Sequence, residues 1–196
     1  MVIGLTGGIA SGKSLVSRTL NGFGLTVVDA DDIGREIMGR DGLVKQEVVK
    51  TFGKGVLTEE GEINREKLAR IIFNDLERRR ALEGILHPRI REEMWRRAQE
   101  HSGDAVLEVP LLIETGGHER VDLVVVVYAM REIQIQRLMR RDGISAEEAI
   151  RRIDTQLPLT EKVSHADYII NNNESVKETE EQVWRFYQAT KGKGTV

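Results

Sequence analysis

The stretch GLTGGIASGKS, residues 4–14, decides the fold. Four of its residues have the spacing of a phosphate-binding loop, a glycine followed by four residues and then Gly-Lys-Ser: Gly7, Gly12, Lys13 and Ser14. Such a loop binds phosphates where it leaves a strand and enters a helix. The flanking sequence predicts both, because residues 1–6 form an apolar run and residues 11–21 have helical apolar spacing.

The residue types of this loop suit nucleotide phosphates and a metal ion. Gly7, Gly8 and Gly12 allow the backbone to approach phosphates that a Cβ would hinder, and successive N–H groups can turn toward them. Lys13 is expected to reach the β- and γ-phosphates, and the Ser14 hydroxyl to bind Mg²⁺. The N-terminus of the following helix adds a potential that favours anions.

Four more apolar runs, rich in Val, Ile and Leu, predict the remaining strands. They are GLTVVDADD (24–32), DAVLEVPLL (104–112), VDLVVVVYA (121–129) and ADYIINN (166–172). Continuous apolar strands separated by helical segments are typical of a parallel sheet covered on both faces. The sequence therefore predicts an α/β fold with a five-stranded parallel sheet.

Two helical segments interrupt the alternation of strands and single helices. From Ile33 to Ser102 only amphipathic helical patterns occur, which is too long for one crossover, so we interpret this region as an inserted subdomain. Pro88 is predicted to separate two of its helices. A second helical pair, residues 131–143 and 145–156, lies between the last two predicted strands.

Composition narrows the class of protein. A chain of 196 residues suits one core domain with insertions, and its net charge of −3 argues against a dedicated nucleic-acid-binding protein. The absence of cysteine excludes disulfides, thiolate metal sites and cysteine nucleophiles. The longest apolar run, residues 123–130, is too short to span a bilayer, and no cleavable signal pattern precedes the loop. We expect a cytoplasmic protein that is a monomer or a weak homo-oligomer.

Acidic residues follow the second predicted strand, in VVDADD. Because residues alternate along a strand, Asp29 and Asp31 are expected to point the same way at the sheet edge where parallel sheets bind ligands. A carboxylate there could orient or deprotonate an attacking hydroxyl. The alternative is that Asp31 or Asp32 caps the next helix. We favour a functional Asp31, since a phosphate loop lies one strand away, whereas both interpretations stay open for Asp32.

Arginines are dense in the second helical pair: Arg137, Arg140, Arg141, Arg151 and Arg152. Such helices can act as a lid that brings arginine over a transferring phosphoryl group and excludes water. The alternative is that these arginines are solvated and paired with Asp142, Glu147 and Glu148. We expect two or three of the five to be functional.

Two other positions are weaker candidates. His87 and Arg89 flank Pro88, and a lone histidine is more often structural than a ligand contact. Glu108 lies near the end of the third strand, where phosphate-loop proteins place an acidic residue that helps to hold the metal. It could equally be a polar residue at a strand end.

Six segments together resemble the dephospho-coenzyme A kinases: IGLTGGIASGKS, VVDADDIGREI, LEGILHPRIREEM, EVPLLIE, QRLMRRDGISAEEAIRRIDTQ and ADYIINNN. They follow that family's order and spacing over essentially the whole chain, and the set is far more specific than a phosphate loop alone. One departure is Ala10, which stands where the family usually has glycine.

The resemblance implies a single three-part domain with a three-layer fold of the phosphate-loop nucleoside triphosphate hydrolase type. Its parts are a core (1–32, 103–136 and 157–196), a helical coenzyme-binding insert (33–102) and a helical lid (137–156). It also implies transfer of the ATP γ-phosphate, with Mg²⁺, to the ribose 3′-hydroxyl of dephospho-coenzyme A. That reaction is the last step of coenzyme A synthesis.

The resemblance also assigns site residues. Those implied for ATP are Gly8, Ala10, Ser11, Gly12, Lys13, Ser14, Leu15, Arg137 and Arg141. Those implied for dephospho-coenzyme A are Asp29, Asp31, His87 and Arg89. It implies Asp31 as the catalytic base and Arg141 as the catalytic lid residue. The loop motif adds Lys13 to the catalytic set, and the candidate metal ligands stay Ser14 and Glu108.

Two other functions compete with this one. The nearer is a kinase of the same architecture that acts on a nucleoside or a nucleoside monophosphate. The other is a nucleotide-dependent switch protein, but the chain has no Asn-Lys-x-Asp element for reading guanine, and its arginine-dense lid favours phosphoryl transfer.

Overall fold

A computed structural model describes residues 1–73, 75–101 and 103–191. The chain forms two compact units. The first consists of Met1–Val28 together with the chain from Ala98 onward, and the second consists of Asp29–Arg97.

The sheet contains five strands: β1 (Val2–Gly7), β2 (Thr26–Asp29), β3 (Ala105–Glu108), β4 (Leu123–Tyr128) and β5 (Tyr168–Asn171). Their order is β2-β3-β1-β4-β5. The central strand β1 pairs in parallel with β3 and β4, so that Leu5 lies opposite Glu108 on one side and Val125 on the other. The predicted five-stranded parallel sheet is confirmed.

The described residues form nine α-helices: α1 (Lys13–Gly22), α2 (Ala30–Arg40), α3 (Gly42–Phe52), α4 (Arg65–Phe73), α5 (Leu76–Glu100), α6 (Arg131–Asp142), α7 (Ala146–Ile153), α8 (Leu159–Val163) and α9 (Val176–Lys191). Short 3₁₀ turns cover Lys54–Val56 and Gly117–Arg120. Within the described ranges, none of the helices has the length and apolar character needed to cross a membrane.

The valines of β4 explain why helices cover both faces of the sheet. Side chains alternate along a strand, and residues 124–127 are all buried valines. Val125 and Val127 pack in a core with residues of α1 and α9. Val124 and Val126 pack in a second core, against which residues of α8 lie. The first unit therefore has the predicted three layers.

The second unit has a core of its own, built by α2 to α5 and the turn between α3 and α4. Its fully buried members follow helical spacing in α3, where Val44, Val48 and Phe52 are four residues apart. Leu57 and Ile63 form an isolated antiparallel bridge before α4 begins. Leu68, Leu82 and Leu86 from α4 and α5 complete the core.

The junction of β2 and α2 differs from the prediction. The strand ends at Asp29 and α2 begins at once, with Asp29 as its N-cap. The Asp29 Oδ1 accepts hydrogen bonds from the N–H groups of Asp31 at 2.7 Å and Asp32 at 3.4 Å. The expected strand alternation of Asp29 and Asp31 was therefore wrong, because Asp31 lies in a helical turn. The alternative that Asp31 or Asp32 is the cap was also wrong.

Pro88 does not separate two helices, as the sequence predicted, but lies inside the 25-residue helix α5. A proline at this place removes one helical N–H and displaces nearby carbonyl groups. The Arg89 Nη1 donates a hydrogen bond to the Ile85 carbonyl at 2.8 Å, which supplies a donor at the perturbed turn. The helix begins instead near Asp75, whose carboxylate accepts the Arg78 N–H at 3.0 Å.

Candidate active site

The phosphate loop occupies residues 8–12, between β1 and α1. The Ser11 N–H donates to the Gly8 carbonyl at 3.1 Å, and the Leu15 N–H donates to the Gly12 carbonyl at 3.0 Å. Ala10 and Gly12 have left-handed backbones, with φ of 58° and 99°. Such a sequence of turns directs successive N–H groups into one concavity that binds anions. The predicted strand, loop and helix are thus present in order.

Neighbouring atoms leave no room for a Cβ at three glycines of the loop, apart from any need for the backbone to approach a phosphate. A Cβ on Gly8 would lie 2.5 Å from the Gln134 Nε2, and a Cβ on Gly12 would overlap the Asn172 Nδ2. A Cβ on Gly7 would lie 2.6 Å and 2.7 Å from atoms of the loop and of β4. A side chain at Gly7, Gly8 or Gly12 would therefore collide with neighbouring protein atoms.

Buried amide side chains hold the loop carbonyls. The Asn172 Nδ2 donates to the Ser11 carbonyl at 2.7 Å, while its Oδ1 accepts the Thr179 hydroxyl at 2.9 Å. Gln134 makes a similar bond to the Ile9 carbonyl. Sequence reasoning assigned no role to Asn172 or Gln134. Asn172 lies in one of the segments that carry the family resemblance, whereas Gln134 lies two residues before another of them.

Of the residues that the resemblance implies for ATP, residues 8 and 10–15 lie on this loop and the first turn of α1, whereas Arg137 and Arg141 lie on α6. The Lys13 Nζ is 3.5 Å from the Gly7 carbonyl, so the lysine side chain folds back over the loop. Ser14 is exposed in the first turn of α1. The N–H groups at the start of this ten-residue helix favour an anion there.

The predicted lid corresponds to α6 and α7, which begin earlier and end earlier than residues 137–156. Arg141 is exposed and pairs with Asp142 at 2.7 Å, and this hydrogen bond raises the pKa of Arg141 and lowers that of Asp142. Arg152 links Asp142 and Glu148, each at 3.0 Å. These pairs support the solvated interpretation for part of the arginine cluster.

Arg137 differs from the other arginines of α6 and α7 in the hydrogen bonding of one atom. Its Nη1 is buried and has no hydrogen-bond partner within the part of the chain that the structure describes. A buried guanidinium donor without a partner is costly in a protein interior. The buried Nη1 of Arg137 therefore favours an oxygen of a bound ligand as its acceptor.

Glu108 is the last residue of β3 and is buried, with 7% of its surface exposed. Its carboxylate and the Ser14 hydroxyl are hard oxygen donors of the kind that Mg²⁺ prefers. Among the described residues, no group of three His, Cys, Asp or Glu side chains is arranged to hold a metal ion. The donor chemistry of these two residues therefore fits a Mg²⁺ ion.

The chain after β3 is anchored by a buried lysine that sequence reasoning missed. Lys162 of α8 is fully buried, donates to the Pro110 carbonyl at 2.8 Å and pairs with the Glu114 Oε1 at 2.7 Å. The same Oε1 accepts the Leu157 N–H at 3.2 Å. The Thr6 hydroxyl also donates to Pro110, at 3.1 Å. The EVPLLIE segment is therefore an attachment point between β1 and α8.

The acceptor residues implied by the resemblance belong to the second unit. Asp31 lies in the first turn of α2, which Asp29 caps. His87 is half-buried on α5. Arg89, two residues further along, pairs with Glu47 at 2.7 Å in addition to its bond to the helix backbone.

A parallel sheet in this order, with a phosphate loop after β1 and arginine-bearing helices after β4, defines a phosphate-loop protein of the kinase type. A family model described as dephospho-CoA kinase matches residues 1–178. The chain belongs to the dephospho-CoA kinase family.

Relatives agree with this assignment. A dephospho-CoA kinase of Carboxydothermus hydrogenoformans is 44% identical over 196 residues, which cover 98% of this chain and 95% of that protein. The solved dephospho-CoA kinase of Campylobacter jejuni is 30% identical with a TM-score of 0.67 and 96% coverage of each chain. The crystal structure of TT1252 from Thermus thermophilus is 32% identical, with a TM-score of 0.84 and 97% coverage of each chain.

Proposed function

We propose that the protein transfers the γ-phosphate of ATP to the ribose 3′-hydroxyl of dephospho-coenzyme A, giving coenzyme A and ADP. The observation that carries the proposal is the preformed phosphate loop, with Lys13 and Ser14 at the start of α1, in a chain of this family. The loop accounts for the nucleotide, and the family accounts for the acceptor.

The donor side is assigned to the first unit. Backbone N–H groups of the loop and of the first turn of α1 are assigned to the phosphates, and Lys13 neutralises charge that spreads over the γ-phosphoryl group during transfer. Ser14 and Glu108 would hold Mg²⁺, and the ion would supply positive charge that neutralises the phosphates during transfer.

Asp31 is assigned to the acceptor hydroxyl. Its carboxylate accepts the proton of the 3′-hydroxyl as that oxygen forms a bond to the γ-phosphorus and the bond to the ADP oxygen breaks. Asp29 contributes by capping α2, because its bond to the Asp31 N–H fixes the turn that carries the base. Asp32 is left with a surface role, since it pairs with Arg35 on the exposed side of the same turn.

The arginines of the lid are assigned unequal roles. Arg137 donates to a phosphate oxygen through its Nη1, which has no partner among the described residues. Arg141 exchanges its exposed partner Asp142 for the transferring group, where a positioned guanidinium stabilises the spread charge.

The helical insert is assigned to the coenzyme. The second unit carries His87 and Arg89 on α5, and two of the five N–H donors of Arg89 are already used by Glu47 and the Ile85 carbonyl. The remaining donors are proposed to contact dephospho-coenzyme A, with His87 beside them.

A transfer assay with ATP, Mg²⁺ and a panel of acceptors tests the proposal. The panel contains dephospho-coenzyme A, nucleosides and nucleoside monophosphates. Dephospho-coenzyme A is the one acceptor of this panel that we expect to gain phosphate. Lys13→Ala should remove nearly all transfer with an unchanged fold, because charge at the transferring group is lost. Phosphorylation of a nucleoside monophosphate instead of dephospho-coenzyme A would establish the competing kinase function.

Asp31→Asn tests the base, with Asp32→Asn as the matched control in the same turn. Turnover of Asp31→Asn should fall by roughly two to four orders of magnitude, while dissociation constants for both substrates stay close to wild type. Asp32→Asn should transfer phosphate like the wild type. Near-normal transfer by Asp31→Asn would show that Asp31 is not the base.

A further inference from the structure

The Ile9 residue of the phosphate loop is held from both sides by glutamine side chains. Its N–H donates to the Gln156 Oε1 at 2.9 Å, and its carbonyl accepts the Gln134 Nε2 at 2.6 Å. Gln134 is buried, with 3% of its surface exposed. Neither glutamine has a role in the proposed phosphoryl transfer described above.

Both glutamines come from the region of α6 and α7, the helices proposed as a lid. Gln134 lies in α6, and Gln156 follows the end of α7 by three residues. Ile9 and Ala10 also pack against the apolar cluster of Leu138, Ala149 and Ile153 that joins α6 to α7. The loop is therefore attached to these two helices by two hydrogen bonds and by an apolar contact.

The bond to Gln134 has a directional consequence for the loop. In a planar trans peptide the C=O and the N–H point to opposite sides. Holding the Ile9 carbonyl against Gln134 therefore turns the Ala10 N–H in the opposite direction, away from the packed side of the loop. Asn172 acts in the same way on the next peptide but one, because it holds the Ser11 carbonyl.

The conformation that these bonds hold is strained. Ala10 has a left-handed backbone at φ 58°, a conformation that is unfavourable for an L-residue with a Cβ. Without its outer contacts the loop would be free to relax from this conformation. Gln156 is in turn positioned by its neighbour Leu157, whose N–H is bound by Glu114, the partner of the buried Lys162.

We propose that Gln134 and Gln156 are positioning residues that hold the phosphate loop in its anion-binding conformation before the nucleotide arrives. The inference rests on the proposed function in that the loop binds the phosphates of ATP. Gln134 acts as a donor and Gln156 as an acceptor. Position 134 therefore requires a side chain that donates a hydrogen bond, and position 156 requires one that accepts a hydrogen bond.

Calorimetric titration with ADP, in the absence of any acceptor, tests the proposal. Gln134→Met and Gln156→Met keep the side-chain length but remove the hydrogen bonds, and each should weaken ADP binding by about 5–20-fold. Gln156→Glu retains an acceptor for the Ile9 N–H and should restore binding to within about threefold of wild type. Gln134→Glu removes the donor and should bind no better than Gln134→Met.

Tyr187→Phe is the matched control. It deletes a 2.8 Å side-chain bond to the Phe23 carbonyl at the opposite end of α1, and ADP binding should stay within about twofold of wild type. If both methionine variants bind ADP like the wild type and only melt earlier, the glutamines are structural and the proposal is wrong. If Gln134→Met does not fold, Gln156→Met and its rescue by glutamate decide the question. A wild-type protein that binds ADP but does not phosphorylate dephospho-coenzyme A would contradict the proposed function and leave this test unchanged.

Discussion

Gly12 combines two constraints at one residue. Its φ of 99° is a left-handed value that side chains disfavour, and a Cβ would overlap the amide of Asn172. Because Asn172 also bonds Ser11 and Thr179, it cannot move aside without breaking a buried network. The loop therefore tolerates no side chain at this point.

Gly12→Ala should lower the free energy of unfolding by about 2–4 kcal/mol, from backbone strain and overlap together, and should abolish nucleotide binding. Gly22→Ala is the control, because Gly22 lies in the last turn of α1 with open space around its Cβ position. It should leave stability unchanged or raise it by up to about 1 kcal/mol. Urea unfolding of both variants gives the comparison, and equal stabilities would contradict the constraint at Gly12.

The residues of the loop itself were predictable, because the motif is local and each residue type has a chemical reason. The residues that hold the loop were not. Gln134, Gln156 and Asn172 lie more than 100 positions away, and hydrogen bonds between distant side chains and backbone leave no periodic signal in a sequence.

Two arginines on the neighbouring helices α6 and α7 allow their effects on turnover to be compared. Arg141→Ala should depress turnover by at least about tenfold with little change in acceptor binding, since a lid arginine matters most when charge spreads in the transition state. Arg151→Ala is the control, because Arg151 is exposed on α7 and pairs with Glu148. Its loss should change turnover by less than about threefold. Steady-state kinetics with both substrates varied provide the measurement, and equal effects would assign Arg141 to the solvated group.

Helix α8 depends on the ion pair of its buried lysine. Lys162→Met leaves Glu114 without its cation and the Pro110 carbonyl without a donor, so it should cost about 3–5 kcal/mol of unfolding free energy. The exposed pair of Lys45 and Glu62 is the control, and Lys45→Met should cost less than about 1 kcal/mol.

A double variant of this pair separates charge burial from packing. Lys162→Met combined with Glu114→Leu removes both charges and should be more stable than Lys162→Met alone, because no uncompensated carboxylate remains. Thermal melts of the single and double variants test this. A double variant that loses the sum of both single effects would show that the two residues act independently.

At the scale of elements, the strands were predictable and two boundaries were not. The continuous valine run of β4 predicts a strand that is buried on both faces, whatever its position in the sheet. The break at Pro88 failed as a prediction because a side chain, Arg89, supplies a donor to the helix backbone. The β2–α2 boundary failed because an aspartate can end a strand and cap a helix at the same position.

The second unit contains a charge network that links its stability to pH. Hydrogen bonds from Arg96 and Arg97 lower the pKa of Glu93 to about 2 from an ordinary value near 4.5. Arg97 also bonds Glu36, and this lowers the pKa of Glu36. A carboxylate with a depressed pKa stabilises the folded state above its ordinary pKa, and this contribution is lost as the pH falls toward the depressed value.

Glu93→Gln should therefore be less stable than the wild type above about pH 5, by about 1 kcal/mol, and the difference should close as the pH falls from 4.5 toward 2. Chemical unfolding at a series of pH values measures the difference. Glu62→Gln, which disrupts an exposed pair in the same unit, should show a smaller difference above pH 5. A gap for Glu93→Gln that stays constant down to pH 2 would contradict the assignment of this effect to Glu93.

The division of the chain into two units also has an optical consequence. The chain has two tryptophans, and each unit contains one of them: Trp95 on α5 in the second unit and Trp184 on α9 in the first. Trp184 lies edge-on to Phe23, with ring centroids 5.1 Å apart, and 47% of its surface is exposed. Replacing either tryptophan by phenylalanine leaves a single tryptophan in a known unit, and excitation at the red edge of the absorption band selects it over the three tyrosines. Emission from the two single-tryptophan proteins can then follow the first and the second unit separately, without an attached dye.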